Sequence, residues 1–227
     1  MLLKQLIFLV LLAQTPHYRD TETWEAREAR LSLVAEAIDD ASLRATCQGP
    51  YAPPKDDLAS CKRLWPGSRK TLSYLLVTQA LHETHLSAEI HHNRCRLEIG
   101  ECDSRWYFDR KLQKRVYVQQ SFSLWQLKQF RDIPNNDWDQ IQLGQEGTQV
   151  AAWHAARRLA SAYRACGSIE GAISRYALGN GCEWAGARER AQTYRELSAA
   201  VPYTLRKNRD AQREKLLEKE QLLATSD

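Results

Sequence analysis

Apolar residues recur at helical intervals along most of the chain. The stretch 72–86 shows this pattern and leads to the candidate catalytic residue. Placed on an α-helix, one face of this stretch collects Leu72, Leu75, Leu76, Gln79 and Ala80. That face ends on a single carboxylate, Glu83, which is followed by the hydroxyl residue Thr84. Burial of a carboxyl group favours its protonated form, so Glu83 is a candidate general acid.

The same periodicity predicts further helices over 21–45, 58–65, 122–130, 147–165, 168–178 and 184–199. Ser68 is a typical N-cap for the helix that contains 72–86. Gly167 and the turn Gly179-Asn180-Gly181 are typical of helix C-termini. The fold class predicted from this pattern is mainly α.

The segment 91–118 breaks the helical pattern, and only 115–118 alternates like a strand. It predicts a small irregular or β-hairpin lobe, of the kind that forms one wall of a substrate groove. After Pro202 the tail 203–227 is dense in charge and does not sustain apolar heptads, which predicts a solvated or frayed helix rather than a coiled coil.

The N-terminal segment 1–16 has the composition of a signal peptide. Lys4 precedes an apolar run over 6–13 that is too short for a comfortable membrane span. An exported protein, periplasmic or extracellular, is therefore predicted, with membrane association only if the segment stays uncleaved as an anchor. No cysteine follows the run, so a lipoprotein signal is not supported.

The cysteine count fits an exported protein with three disulfides. We expect neighbours to pair, as Cys47–Cys61, Cys95–Cys102 and Cys166–Cys182, although six cysteines allow about 15 connectivities. A zinc site is the alternative, but the sequence contains no C-x-x-C spacing. The net charge of +4 suits an anionic partner such as a cell-wall polymer or phospholipid and is too weak to indicate nucleic acid.

Three short segments carry the chemical signal: Glu83-Thr84 at a helix end, the run Ser121-Phe122-Ser123-Leu124-Trp125-Gln126-Leu127, and Ala172-Ile173-Ser174-Arg175-Tyr176-Ala177 before a glycine-rich turn. In this order the chain resembles the soluble lytic transglycosylases of the lysozyme superfamily over roughly 72–197. The resemblance implies a goose-type lysozyme-like domain at 68–200, preceded by a helical extension at 20–66.

By that resemblance Glu83 is the catalytic acid, Thr84 stands for the family's serine, and Gln126 and Tyr176 match its glutamine and tyrosine. Ser123 replaces the family's glycine, Trp125 its methionine and Ala177 its asparagine. Thr84, Ser123, Trp125, Gln126 and Tyr176 are accordingly the expected substrate-binding residues. The alternative interpretation of Trp125 and Tyr176 is that they are core aromatic residues without contact to a substrate.

The implied activity is cleavage of the MurNAc–GlcNAc β-1,4 bond of peptidoglycan glycan strands without a cofactor. The substrate's N-acetyl group assists, and the muramic acid 6-hydroxyl attacks to give 1,6-anhydro ends. A hydrolytic muramidase would need a second carboxylate, for which Glu89, Glu98, Glu101 and Asp103 are the candidates by sequence. A non-catalytic wall-binding or scaffold module is the alternative outside enzymes.

Four residues near Glu83 invite a metal interpretation, because His82, His85, Glu89 and His92 share a face if the helix continues unbroken. The metalloprotease signature places its histidines four apart, whereas His82 and His85 are three apart. We therefore predict no metal site, and keep a zinc-dependent peptidase as a third hypothesis.

Overall fold

The long helix α2 (Trp24–Ala45) lies at the centre of a mainly helical fold. The computed structural model describes residues 2–15, 22–54, 60–97, 100, 102–129 and 133–200, with four positions in the tail (207, 210, 211 and 214). In these ranges the other α-helices and β-strands are α1 (Leu3–Gln14), α3 (Arg69–Thr84), α4 (Ala88–His91), β1 (Ser104–Asp109), β2 (Lys114–Gln119), α5 (Asn135–Ile141), α6 (Thr148–Cys166), α7 (Ile169–Leu178) and α8 (Ala185–Ala199).

The helices pack around α2, which contacts α1, α3 and α6, while α8 lies across α3 and α7. The apolar face predicted for α3 is in the core, with Leu72, Leu75, Leu76 and Ala80 fully buried. Side-chain caps fix where two helices begin. Ser68 accepts a hydrogen bond from Thr71 N at 3.0 Å, and Ser168 accepts one from Gly171 N at 3.0 Å.

The predicted small lobe is a β-hairpin. Strands β1 and β2 pair antiparallel, with Trp106 opposite Tyr117 and Asp109 opposite Lys114. All three predicted cysteine pairs are present as disulfides, Cys47–Cys61, Cys95–Cys102 and Cys166–Cys182. Cys95–Cys102 joins the end of the region around α4 to the start of the hairpin lobe.

Two predicted helices are wrong. Residues 61–66 are not helical, because the N–H groups of Leu64 and Trp65 both donate to Ala45 O, at 2.9 and 3.0 Å, and the segment lies extended against the end of α2. The segment 122–127 is a tight loop, in which Ser123 and Gln126 have φ of 68° and 48°. Left-handed backbone at two of four successive residues cannot continue an α-helix.

The segment predicted as a signal peptide contains α1, which packs against α2 and α3. Its residues Ile7, Val10, Leu11 and Leu12 are fully buried. Its cleavage stays a prediction, but in this structure the apolar run fills part of the core. Among the described ranges, no helix combines the length and apolarity needed to cross a membrane. The predicted tail 203–227 lies almost entirely outside the described residues.

Candidate active site

A cavity of about 370 Å³ opens at the C-terminal end of α3. Glu83, Gln126 and Tyr176, which come from three separate segments of the chain, all contribute to its wall. Its other lining residues are Ile90, Gly100, Cys102, Asp103, Ser121, Trp125, Lys128, Arg158 and Ala177. Ala177, at the position where the family that the sequence resembles has asparagine, also lines the cavity.

Glu83 stands in the last turn of α3, before the helix ends at His85 in left-handed conformation (φ 51°). Its side chain is 19% exposed. Arg190 Nη1 donates to Glu83 Oε1 at 2.5 Å and to Gln79 Oε1 at 2.8 Å. The carboxylate is thus held by a guanidinium from α8, and sequence reasoning missed this partner because nothing local links residues that are 107 positions apart.

Arg190 is itself fixed on its other side, since its guanidinium lies 5.3 Å from the ring centroid of Trp184. Gln79 orients the same guanidinium from one turn earlier on α3. These three contacts set the direction of the Glu83 carboxylate. A charge-assisted contact of this kind stabilises a carboxylate more than a neutral hydrogen bond does.

Tyr176 is 3% exposed, and its hydroxyl donates to Trp125 O at 2.9 Å rather than to Glu83. Burial raises the pKa of this phenol, with a smaller raising contribution from the Glu83 charge, while Arg158 lowers it. The phenol is therefore neutral at physiological pH. Trp125 is 1% exposed and donates from its indole N–H to Leu76 O at 3.0 Å. The pair joins the 122–127 loop to α3 and α7 at the floor of the cavity.

Gln126 lines the cavity, and its amide is held within its own loop. Its Oε1 accepts from Ser121 Oγ at 2.5 Å, and its Nε2 donates to Ser123 O at 3.3 Å. Thr84 and Ser123, also expected to bind substrate, do not line the cavity. Thr84 Oγ1 donates to Ala80 O at 2.9 Å and to Leu124 O at 3.2 Å. Thr84 therefore holds the loop onto α3, whereas Ser123 Oγ accepts from Trp125 N at 3.3 Å within the loop.

A second carboxylate, Asp103, faces the same cavity. Its Oδ2 accepts from Ser121 Oγ at 2.7 Å and lies 3.3 Å from Lys128 Nζ. Sequence spacing alone could not separate it from the other acidic candidates. Glu89 is 3.8 Å from Arg94 and is not part of the cavity wall. Glu98 and Glu101 lie outside the described residues.

The histidines near Glu83 point to different parts of the fold. His82 Nε2 lies 2.9 Å from Thr193 Oγ1, and burial, followed by the charge of Arg190, lowers the pKa of His82. His91 Nε2 lies 2.6 Å from Thr148 Oγ1 in the core. In the described part of the chain, no group of three His, Cys, Asp or Glu side chains is placed to hold a metal ion.

Comparison of the chain with protein-family models, with curated proteins and with solved structures finds no match.

Proposed function

We propose that this chain is a peptidoglycan lytic transglycosylase with a lysozyme-like helical domain, in which Glu83 acts first as acid and then as base. One observation carries the proposal. The three residues that match the family's acid, glutamine and tyrosine lie far apart in sequence and line one cavity, which also exposes part of the Glu83 side chain. The β-hairpin beside that cavity supports the assignment of a groove for an extended polymer.

Glycosidic cleavage requires a proton on the departing oxygen. Glu83 donates it to the bridging oxygen as the bond from that oxygen to C1 of the MurNAc residue breaks. The C6 hydroxyl oxygen of the same sugar forms a bond to C1, and its proton passes to the Glu83 carboxylate. The products are a 1,6-anhydro end and a free 4-hydroxyl, so the glutamate is regenerated in its protonated form and no water is consumed.

The other residues act by placement. Asp103, Lys128 and Gln126 supply polar groups on the cavity wall that can bind sugar hydroxyl and acetamido groups. Tyr176 and Trp125 are buried and hold the loop, so their proposed role is to set the position of Gln126. The three disulfides suggest an oxidising, exported environment, which is where peptidoglycan is met. Glycan strands are the proposed partner.

The test is digestion of purified sacculi, with the products identified by mass spectrometry. Glu83→Gln should lower the rate by about 10²–10⁴-fold, the usual contribution of a general acid. Glu170→Gln is the matched control, because Glu170 is also paired with an α8 arginine, Arg195 at 3.2 Å, but lies away from the cavity. Full activity in Glu83→Gln, or sacculus binding without any cleavage by the native chain, would refute the proposal.

Asp103 supports a second candidate, a hydrolytic muramidase on the same site, because a hydrolase needs a second carboxylate at the scissile bond. Digestion in ¹⁸O-labelled water separates the two reactions. A hydrolase places the label in a reducing end, whereas intramolecular attack gives an unlabelled anhydro end. Asp103→Asn should remove the labelled product if Asp103 is the base or nucleophile, and should leave anhydro formation nearly unchanged if it is not.

A further inference from the structure

A second cavity of about 370 Å³ lies between α6 and α7, and four arginines line it. Arg157, Arg158 and Arg164 come from α6 and Arg175 comes from the last turn of α7. No aspartate or glutamate is among the described residues that line the cavity. The remaining lining residues are Leu64, Leu127, Ile133, His154, Ser161, Ala162 and Gly179.

Several of these cations are held in place. Arg164 Nη1 donates to Leu64 O at 2.9 Å, and Arg158 Nη2 donates to Tyr176 O at 3.0 Å. His154 Nε2 lies 2.8 Å from Asp137 Oδ2, and this carboxylate offsets part of the positive charge from behind the wall. The guanidinium of Arg175 makes no hydrogen bond or ion pair with the described residues, although Arg175 is partly buried. A guanidinium without a protein acceptor in such a position is available to an oxyanion.

The arginine cavity adjoins the Glu83 cavity, because Arg158 lines both. Its other wall is apolar, from Leu64, Leu127 and Ile133. The arginines favour a ligand with carboxylates, and the apolar wall favours short aliphatic side chains. Because Arg158 lines both cavities, such a ligand can be a branch of a polymer bound at Glu83. Guanidinium groups bind carboxylates in a planar, two-point geometry, which favours such groups over neutral sugar hydroxyls.

We propose that the arginine cavity is a subsite for the carboxylate-bearing stem peptide attached to the muramic acid residue of the substrate. The inference rests on the proposed peptidoglycan activity and adds to it a preference for peptide-bearing over peptide-free strands. The glycan lies at Glu83, the peptide passes over Arg158, and its carboxylates pair with Arg175 and its neighbours.

Binding is measured first, without cleavage, by titration calorimetry of the full chain with a free stem tetrapeptide. Arg175→Gln should weaken the tetrapeptide by about tenfold or more, since it removes one charge-assisted contact. Arg195→Gln, which alters an exposed arginine in an ion pair on α8, should leave the dissociation constant unchanged. A tetrapeptide whose carboxylates are amidated lacks the charge that the arginines bind. Its dissociation constant for the native chain should be at least as high as that of the unmodified tetrapeptide for Arg175→Gln. Circular dichroism melting of each variant shows that the fold is retained.

Cleavage then separates this inference from the proposed function. Intact strands should have a lower KM than strands stripped of peptide, and Arg175→Gln should abolish that difference while kcat is kept. Equal KM values together with no tetrapeptide binding would overturn the subsite, even if Glu83-dependent cleavage is observed. Tetrapeptide binding that depends on Arg175 would uphold the subsite even if no strand is cleaved. Binding of inorganic phosphate but not of the tetrapeptide would overturn the stem-peptide assignment in favour of a phosphate-bearing polymer.

Discussion

Two apolar helices, α1 and α3, each end against an arginine from a neighbouring helix, but the two arginines bind different acceptors. Arg27 of α2 donates to the main-chain oxygens of Leu12 and Thr15 at the end of α1, the former at 3.1 Å, and is 2% exposed. Arg190 of α8 donates to the side chains of Gln79 and Glu83 at the end of α3, beside an open cavity.

The difference separates a contact that stabilises the fold from one that orients a side chain beside a cavity. The carbonyls at a helix C-terminus have no intrahelical partner, so Arg27 satisfies groups that would otherwise be buried unpaired. Burial lowers the pKa of Arg27, and the neighbouring charge of Arg30 lowers it further, against a raising effect of Glu22. Glu83 has a partly exposed side chain, so its contact with Arg190 orients a carboxylate that a ligand in the cavity can reach.

The largest expected effect is on the structural arginine. Arg27→Met should lower the free energy of unfolding by about 3 kcal/mol, because it removes charge-assisted hydrogen bonds and leaves two buried carbonyls without a donor. Urea unfolding followed by circular dichroism measures the change. Arg195→Met, an exposed arginine, should stay within about 0.5 kcal/mol of the native chain.

The same substitution tests whether residues 1–16 remain part of the folded, mature protein or are removed as a signal peptide. In a chain that lacks residues 1–16, Arg27 has lost both of its acceptors, so Arg27→Met should change stability far less than in the full chain. An equal loss in both chains would show that the contact with α1 does not stabilise the fold. A stable, active chain without residues 1–16 would favour their removal as a leader.

The second prediction concerns acid sensitivity near Arg30, which lies three residues after Arg27 on α2. Burial, then the charges of Arg30 and His92, lower the pKa of His91 to about 3. An unfolded histidine titrates near 6.5. Between these two pH values His91 binds a proton in the unfolded chain but not in the folded chain, so the free energy of unfolding falls as the pH drops from about 6.5 towards 3. Outside this range His91 does not change the free energy of unfolding.

From pH 7 to pH 5 the loss from His91 is about 2 kcal/mol, at 1.4 kcal/mol per pH unit in the steep range. Urea unfolding at both pH values should show this loss in the native chain. In His91→Gln the loss should be smaller by that amount, because glutamine can still bond to Thr148 but takes up no proton. An unchanged pH dependence in the variant would mean that the pKa of His91 is not lowered in the folded protein.

Sequence patterns predicted the features that local chemistry determines. Ser68 caps α3, Gly167 and Gly179 follow the ends of α6 and α7 in left-handed conformation, and cysteines pair with their sequence neighbours. The 122–130 helix was wrong because an apolar run of that length is also compatible with a tight loop, and only the tertiary contacts of the Trp125 indole and main-chain oxygen determine which forms.

The candidate site was predictable in part. Glu83, Gln126 and Tyr176 were singled out because their segments resemble the transglycosylase motifs in order, and they line one cavity. Their charged neighbours were not predicted, because Arg190 and Asp103 are ordinary charged residues until the fold brings Arg190 to Glu83 and Asp103 to the cavity wall. Contacts between distant segments leave no local pattern in a single sequence. Helix caps and hairpins do leave one, because they depend on residues that are close together in the chain.

The smallest expected effect on stability, and the one that completes the comparison, is at Arg190. Arg190→Met should lower the free energy of unfolding by only about 1 kcal/mol, because the ion pair with Glu83 is partly solvated.

The effect of Arg190→Met on turnover should be larger than its effect on stability. Without the guanidinium, neither Gln79 nor Trp184 still fixes the Glu83 side chain, and a misplaced acid lowers kcat by about 10- to 100-fold. KM should change little if Arg190 only positions the carboxylate. Arg190→Lys keeps the charge but loses the planar, two-acceptor geometry, so it should recover only part of kcat. Arg27→Met should show the opposite pattern, with lower stability and normal turnover per folded molecule. Unchanged kcat in Arg190→Met would make this arginine a structural contact like Arg27, and the distinction between the two helix ends would fail.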